Sequence, residues 1–526
     1  MKVRTIITQD AEIDDQNSLR HFLLVCNQVE VQGIVQTSSI FHWQGVAGTK
    51  TLKVEERDNF GLDPEARFDR PWRWPGTDWM EQEINDYEKV YPNLVRQAEG
   101  YPTPDYLRSI IKVGNIGYMG EMEHSTEGSN LIKERLLDVD PRKLYLQVWG
   151  GTNTIARALK DIEEEYRGTP DWENLHDRIE QKVVITACGE QDTTYRGYIA
   201  EEWPGIQFVK CLQMGSYAYP WRRMPAGPSF DSLTHLYMKS MILCNHCDLI
   251  DGYATWMDGK IYEGEGPAGQ FGQPEILKYW FGHKFGLPDY EPYDFLSEGD
   301  SPTYFCLMDW GFRTLENFAW GGISGRYVKT DEHNSKGEPL NYYTVTTEDY
   351  TSPGGTVTNT ESMWRYVVDL QNDFAARAKW CVTPEYKDAE HAPVLQVREK
   401  DITAGAGEEV WLQAAAYVPD APGSDHGSAA EITWRIYREA GQCERLDETV
   451  LKVLPAMEDA EREENSDTSK VAQDTGTDNL VDGCSLALLR VPADAKSGDT
   501  IHVIAQAMER GPLGLTHYAH VIVTVV

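Results

Sequence analysis

Four acids crowd the stretch Thr8-Gln9-Asp10-Ala11-Glu12-Ile13-Asp14-Asp15: Asp10, Glu12, Asp14 and Asp15 fall within six residues. A helix N-terminus accommodates one or two such charges, because its free N–H groups and dipole favour anions. Asp14 and Asp15 could therefore be first-turn caps. Four acids in one turn repel one another unless a cation sits among them, and clustered hard oxygen donors suit Ca2+. Other groups with chemistry to offer are scattered. Glu190, Gln191 and Asp192 follow the apolar run VVITAC and could hold ligand hydroxyls or cap the next helix. The turn STEGS, residues 125–129, could present backbone N–H groups, and His42 and His124 are candidate acids. A lone histidine is more often structural. Cys244 and Cys247 form the sole C-x-x-C. Zinc usually needs two such pairs, so helix-borne core thiols are expected there. Trp320-Gly321-Gly322 reads equally as an aromatic wall or a packed turn. No Gly-x-Ser-x-Gly elbow, P-loop or zincin helix occurs.

The elements that must position these groups alternate in type. VRTIIT (residues 3–8) is a β-rich run expected to be buried on both faces. A polar loop, residues 10–15, leads into helical spacing over 17–27, and VEVQGIVQT reads as a second strand. KLYLQVWGG, KVVITACG and IQFVKCL repeat the strand pattern, with a helix over NTIARALKDIEEEY. This rhythm predicts a mainly parallel sheet with flanking helices. Ligands of such sheets bind beyond the carboxyl ends of the strands, which is where the acidic loop falls. Residues 41–120 and 251–360 are rich in Trp, Pro, Tyr and Gly and read as irregular. Near residue 390 the pattern changes to short alternating strands, which predicts a β-sandwich. The expected division is an α/β domain over 1–390 and an Ig-like β-sandwich over 391–526. The acidic segment 457–480 is expected to be a loop within the latter.

Composition narrows the partners. Of 526 residues, 84 are Asp or Glu and 49 are Lys or Arg, a formal charge of −35. Such a chain is repelled by nucleic acid and anionic membrane, and neutral polyhydroxylated ligands suit it better. No apolar run reaches the length of a membrane span, and the N-terminus becomes polar by Thr8. Nine scattered cysteines favour free thiols in a reducing compartment. The cytoplasm is the expected location, unless a leader has been removed.

The acidic loop resembles the D-x-D-x-x-x-D-D signature of inosine-uridine-preferring nucleoside hydrolases. Asp10, Asp14 and Asp15 fall on its second, third and fourth acids, Thr8 stands at the first, and Ala11-Glu12 replaces Pro-Gly. WGGTNTIARAL, residues 149–159, resembles that family's G-P-L-T-N turn. Over nearly its full length the chain resembles a branch described as nucleoside hydrolase-like and cellulose-binding-protein-related, with an added C-terminal β domain. EIDDQNSLRHFLL, YEKVYPNLVRQAEGYPTPDYLRSIIKVGN, WGGTNT, EGDSPTYF and AWGGISGRY carry that likeness.

The resemblance implies a Ca2+ centre of Asp10, Asp15, the Thr152 carbonyl and Asp300, although Asp300 also reads as a turn residue before Ser-Pro. Asp10 would be the general base on a metal-held water. Asp14, Asn153, Glu190, Gln191 and Asp192 would face the substrate. Gly299 stands where those hydrolases often carry a histidine, which puts activation of a nucleobase leaving group in doubt. The implied activity is Ca-dependent hydrolysis of an N- or O-glycosidic bond of a furanosyl-like sugar. Its transition state develops positive charge on the sugar, which crowded carboxylates stabilise. The implied partner is a sugar or nucleoside, and a homodimer is left open. The alternative is a carbohydrate-binding protein with a non-catalytic hydrolase-like domain.

Overall fold

The computed structural model describes residues 2–49, 66–262, 264–265, 271–273, 290–351, 355–419, 428–443, 450–453 and 484–526. The segment 457–480, expected to be a loop, lies outside them. The chain forms two compact units: Met1–Met308 with Ile323–Pro384, and Asp309–Gly322 with Glu385–Val526.

The first unit is built on an eight-stranded sheet. Strand β1 (Val3–Gln9) is followed by helix α1 (Ile13–Val25) and β2 (Val29–Gln36). Then come α2 (Trp79–Gln97), α3 (Pro104–Ser109), β3 (Ile111–Val113), α4 (Glu127–Leu137) and β4 (Leu144–Val148). Helices α5 (Asn153–Tyr166) and α6 (Trp172–Lys182), then β5 (Val183–Ala187), β6 (Gln207–Lys210), β7 (Tyr327–Lys329) and β8 (Tyr342–Val345) complete the sheet. The strand order is β3-β2-β1-β4-β5-β6-β8-β7. Every neighbouring pair is parallel except β7 with β8. Strands β4 and β5 are buried at every position, as unbroken apolar runs in a covered parallel sheet must be.

From β1 the chain winds outward through β2 and β3, then returns to lay β4 on the other side of β1. The reversal opens a crevice at the carboxyl ends of β1 and β4, the usual ligand position in such sheets. Helix α1 starts directly beyond this point and is buried almost all round. Its polar residues are therefore partnered: Asn17 with Ala254 and Ser297, Arg20 with Glu83, and His21 with Glu298. The rigid helix carries Asp14 and Asp15 in its first turn.

The region 41–120 departs from the irregular reading. Helix α2 runs 19 residues and buries Met80, Ile84, Tyr87, Val90 and Leu94, an apolar stripe at helical spacing. The Trp- and Pro-rich segment before it, and Pro92 within it, mask that periodicity.

Strands β9 (Thr347–Thr351) and β10 (Val357–Glu361) of the first unit pair antiparallel outside its main sheet, and the second unit contains two sheets. The first joins β11 (Val394–Val397), β13 (Glu409–Val418), β17 (Cys484–Arg490) and β16 (Leu451–Val453), with β14 (Ser428–Ala429) paired to β13. The second runs β12 (Asp401–Ala404), β19 (Thr516–Val525), β18 (Thr500–Met508) and β15 (Glu431–Ile436). Alternate residues of both sheets form one core, including Leu412, Trp434, Leu489, Val503 and Val521. The Trp434 indole N–H donates to the Ser485 hydroxyl at 3.0 Å, a bond between the sheets. Among the described residues no helix is long and apolar enough to cross a membrane.

Candidate active site

The acidic loop lies at the end of β1, at the crevice. Its backbone is strained: Ala11 has φ 77°, a conformation L residues rarely take and one that recurs at functional sites. The strain turns the chain sharply between strand and helix. Asp15 Oδ1 accepts from the Asp10 N–H at 3.0 Å, Asp10 Oδ1 from the Glu12 N–H at 3.2 Å, and Asp14 Oδ2 from the Ser297 hydroxyl at 3.1 Å.

Carboxylate oxygens of Asp14, Asp15 and Asp300 lie within 4.8 Å of one another, all buried. Asp10 belongs to a second group of the same size with Glu12 and His42. Burial raises the Asp14, Asp15 and Asp300 carboxyls well above their ordinary range, and the neighbouring acids raise them further. Asp10 Oδ2 and Asp300 Oδ2 are buried with no hydrogen-bond partner. Uncompensated buried carboxylate is expensive. Orphaned oxygens among mutually repelling acids fit a hard divalent cation, and the all-oxygen donor set favours calcium over softer metals.

The Trp149-Gly150-Gly151-Thr152-Asn153 turn after β4 approaches the loop closely. A Cβ on Gly150 would lie 2.7 Å from the Asp10 Cβ, and one on Gly151 would lie 2.4 Å from Asp192 Oδ2. Asp192 staples the turn: it accepts from the Thr152 hydroxyl (3.0 Å), the Asn153 N–H (2.9 Å) and the Thr194 N–H (2.9 Å). Asn153 directs its amide to the Ser38 hydroxyl and the carbonyls of Asn115 and Glu121, and accepts from Thr37. Gln191 donates to the carbonyls of Trp149 and Cys188. Glu190 pairs with Arg196 at 2.6 Å and accepts from the Tyr342 hydroxyl at 2.7 Å.

Of the expected site residues, the structure thus gathers the carboxylates of Asp14, Asp15 and Asp300 around one point, with Asp10 beside them. Thr152 caps α5 in the adjoining turn, its carbonyl accepting from the Ala156 N–H at 2.9 Å. Asn153, Glu190, Gln191 and Asp192 spend their side chains bracing the strand ends. The STEGS turn is a helix cap, Thr126 and Ser129 forming a capping box for α4, and His124 is exposed. Trp320 packs in the second unit, edge-on to His502 at 5.5 Å. Cys244 is exposed and Cys247 half-buried, so neither is a core thiol.

Several partners were not anticipated. Glu265 caps α1 from 252 positions away: its Oε1 accepts from the Ile13 N–H at 2.8 Å. It also pairs with Arg73, which reaches Glu12 at 3.4 Å. Burial opposes ionisation of Glu265, but Arg73 and His42 outweigh it and hold the carboxyl down at about 2. His42 is wholly buried between Asp10 Oδ1 at 3.8 Å and Glu265 Oε1 at 3.4 Å. The Cys188 thiol lies beside Asp300. A Cβ on Gly299 would sit 3.1 Å from Asp14 Oδ2 and 3.6 Å from the Cys188 sulfur, so this glycine borders the acids directly. Tyr219 donates to Glu12 at 3.3 Å and stacks on Phe271. Glu265 and Arg73 carry no local sequence signal, because only the fold brings them to the acidic loop.

A family model described as cellulose-binding Sde182, nucleoside hydrolase-like domain, matches residues 4–327. Among solved structures, a nucleoside hydrolase-related hypothetical protein from Saccharophagus degradans, described as associated with carbohydrate metabolism, is similar. It has a TM-score of 0.65 and 22% identity over 100% of both chains, a likeness of fold. The N-terminal Ig1-2 module of Drosophila receptor protein tyrosine phosphatase DLAR aligns at TM-score 0.15 and 14% identity over 26% of this chain and 50% of that one. That is too little to argue from. Comparison with curated proteins finds no match.

Proposed function

Because the chain belongs to the nucleoside hydrolase-like family of the cellulose-binding Sde182 protein, we propose that its first unit hydrolyses a glycosidic bond of a furanosyl-like sugar, assisted by calcium. The observation that supports this most is the buried set Asp10, Asp14, Asp15 and Asp300, with orphaned oxygens on Asp10 and Asp300. Asp10, Asp15, Asp300 and the Thr152 carbonyl would hold the ion. When bound, calcium supplies positive charge that acidifies a nearby water and gathers sugar hydroxyls.

The chain's own residues do the rest. Asp10 receives the water proton at its unpartnered Oδ2. Asp14, fixed by Ser297, holds a sugar hydroxyl. The remaining carboxylates offset the positive charge that develops on the sugar. Asn153, Gln191 and Asp192 act as positioning residues, since they fix the turn that carries Thr152. His42 stands beside Asp10, braced by Glu265.

A second reading is a sugar-binding protein without turnover. It is favoured by Gly299, which puts no acid beside Asp14 where a leaving group would need one. The two separate on Asp10→Asn, which keeps an oxygen for the ion and removes the base. With metal content verified, turnover on an active nucleoside or small glycoside is expected to fall by ~10² or more, while ligand binding persists. Equal turnover, or no turnover by the parent on any of a panel, leaves the binding reading.

A further inference from the structure

Beside the carboxylates of Asp14, Asp15 and Asp300 lies a second set of donors with a different chemistry. One atom each of Asp10, Glu12 and His42 falls within 4.8 Å of the other two. The fold builds this set from two directions. Asp10 and Glu12 come from the strained loop after β1. His42 comes from the segment after β2, where an antiparallel bridge joins Trp43 to Trp72 and brings His42 opposite Arg73. His42 is wholly buried, and neither ring nitrogen has a hydrogen-bond partner among the described residues. Burying an imidazole with both nitrogens unsatisfied is costly.

The two nitrogens face different groups. Nδ1 lies 3.8 Å from Asp10 Oδ1, and Nε2 lies 3.4 Å from Glu265 Oε1. A metal-bound histidine presents one nitrogen to the ion and turns the other to a carboxylate, which fixes its tautomer. His42 has both halves of that arrangement, with Asp10 and Glu12 on one side and Glu265 behind. Glu265 is itself anchored by the Ile13 N–H and by Arg73. Donors about 2.0–2.2 Å from a tetrahedral zinc ion lie about 3.4 Å apart. The His42 and Asp10 atoms need to close by only a few tenths of an ångström to reach that spacing. Among the described residues, both hydrogen bonds to Glu12 fall on Oε1, from Arg73 at 3.4 Å and Tyr219 at 3.3 Å. The Glu12 side chain is 14% exposed, which gives an ion a way in.

Charge points the same way. Asp10, Glu12, Asp14, Asp15, Glu265 and Asp300 act on one another across the crevice. Arg73 offsets one of these six charges and a single calcium ion two more, which leaves three unanswered. We propose that Asp10, Glu12 and His42 form a second cation site, sharing Asp10 with the calcium site, for a borderline divalent ion such as Zn2+. The donor set decides the class: an imidazole with two carboxylates suits zinc, whereas the all-oxygen set suits calcium. Three protein donors leave a fourth position for water or a ligand group. The site requires neither turnover nor bound calcium, so it does not rest on the hydrolase reading.

The test is calorimetric titration of Zn2+ into the full chain carrying Cys244→Ser, with and without saturating calcium. That substitution breaks the Cys244–Cys247 pair, whose exposed thiol zinc would otherwise find. In both conditions the protein is expected to bind one zinc ion that His42→Gln removes and that Glu12→Gln weakens at least tenfold. Both variants should bind calcium as the Cys244→Ser protein does. Glu12→Gln, at a partly exposed position, keeps the test decisive if the buried replacement misfolds. The proposal is overturned if either substitution leaves zinc binding unchanged, which would mark an adventitious ion only. It is equally overturned if calcium displaces the zinc, which would make the two sets a single site. Zinc uptake that depends on His42 in a chain that binds no calcium upholds the second site and contradicts the calcium reading instead.

Discussion

Asp10, Asp14, Asp15 and Asp300 fit a cation because the fold removes water from four carboxylates without giving all of them partners. Glu265 is the residue that makes the opposite end of the loop tolerable. It neutralises Arg73, caps α1 and faces His42. Glu265→Gln removes the charge but keeps the shape, so it should destabilise the first unit by about 3 kcal/mol, as expected when a buried ion pair loses one partner. Scanning calorimetry checks this, and a melting temperature equal to the parent's would show that Glu12 alone satisfies Arg73. Asp10, Asp14 and Asp15 were legible in sequence because they are adjacent, and Asp300 only through the resemblance. Glu265, Arg73 and Cys188 were not, since each meets the loop only through the fold and none sits in a pattern that its neighbours explain.

At the scale of elements, the site depends on two turns meeting, the loop between β1 and α1 and the turn between β4 and α5. The alternating strand and helix patterns made both visible, and the predicted helix over NTIARALKDIEEEY coincides with α5. What the residue pattern could not show was which side chains are spent holding the turns. Asp192 at a strand end looks like a ligand group, yet its carboxylate accepts four hydrogen bonds, from Thr152, Asn153 and both the N–H and the hydroxyl of Thr194. Asp192→Ala leaves those donors buried and unsatisfied. A loss of about 3 kcal/mol is expected, together with weaker calcium binding, since the Thr152 carbonyl loses its support. Asp192→Asn should recover part of both. Calcium affinity unchanged in a folded Asp192→Ala protein would place Thr152 outside the cation site. Helix α2 escaped notice for a different reason: its apolar stripe is clear, but the aromatic and proline-rich approach to it reads as loop.

Across the whole molecule, the two units differ in how acid should affect them. In the second unit His502 Nδ1 and His520 Nε2 meet at 2.8 Å, both wholly buried. Burial, reinforced by Arg313, lowers His502 to about 4, and burial with His502 and Arg313 lowers His520 to about 2. The folded unit thus keeps both rings neutral where the unfolded chain, titrating near 6.5, takes up protons. Their stabilising effect is complete above pH 6.5 and is lost as pH falls toward 4, by about 1.4 kcal/mol per pH unit for each histidine. NMR titration of the imidazole protons should find both neutral at pH 5, and midpoints near 6.5 would refute the buried pair. In the first unit, acid should act on the proposed cation site. Protons would compete with calcium for its raised carboxyls, so calcium affinity should begin to fall well above the ordinary carboxylate range. The central claim, that the crowded acids form a calcium site, is tested most directly by calorimetric calcium titration of the full chain at neutral pH, beside Asp15→Ala. The parent should take up one calcium ion at micromolar concentration and the variant none. A parent that binds no calcium, or a variant that binds it as tightly, would contradict the account.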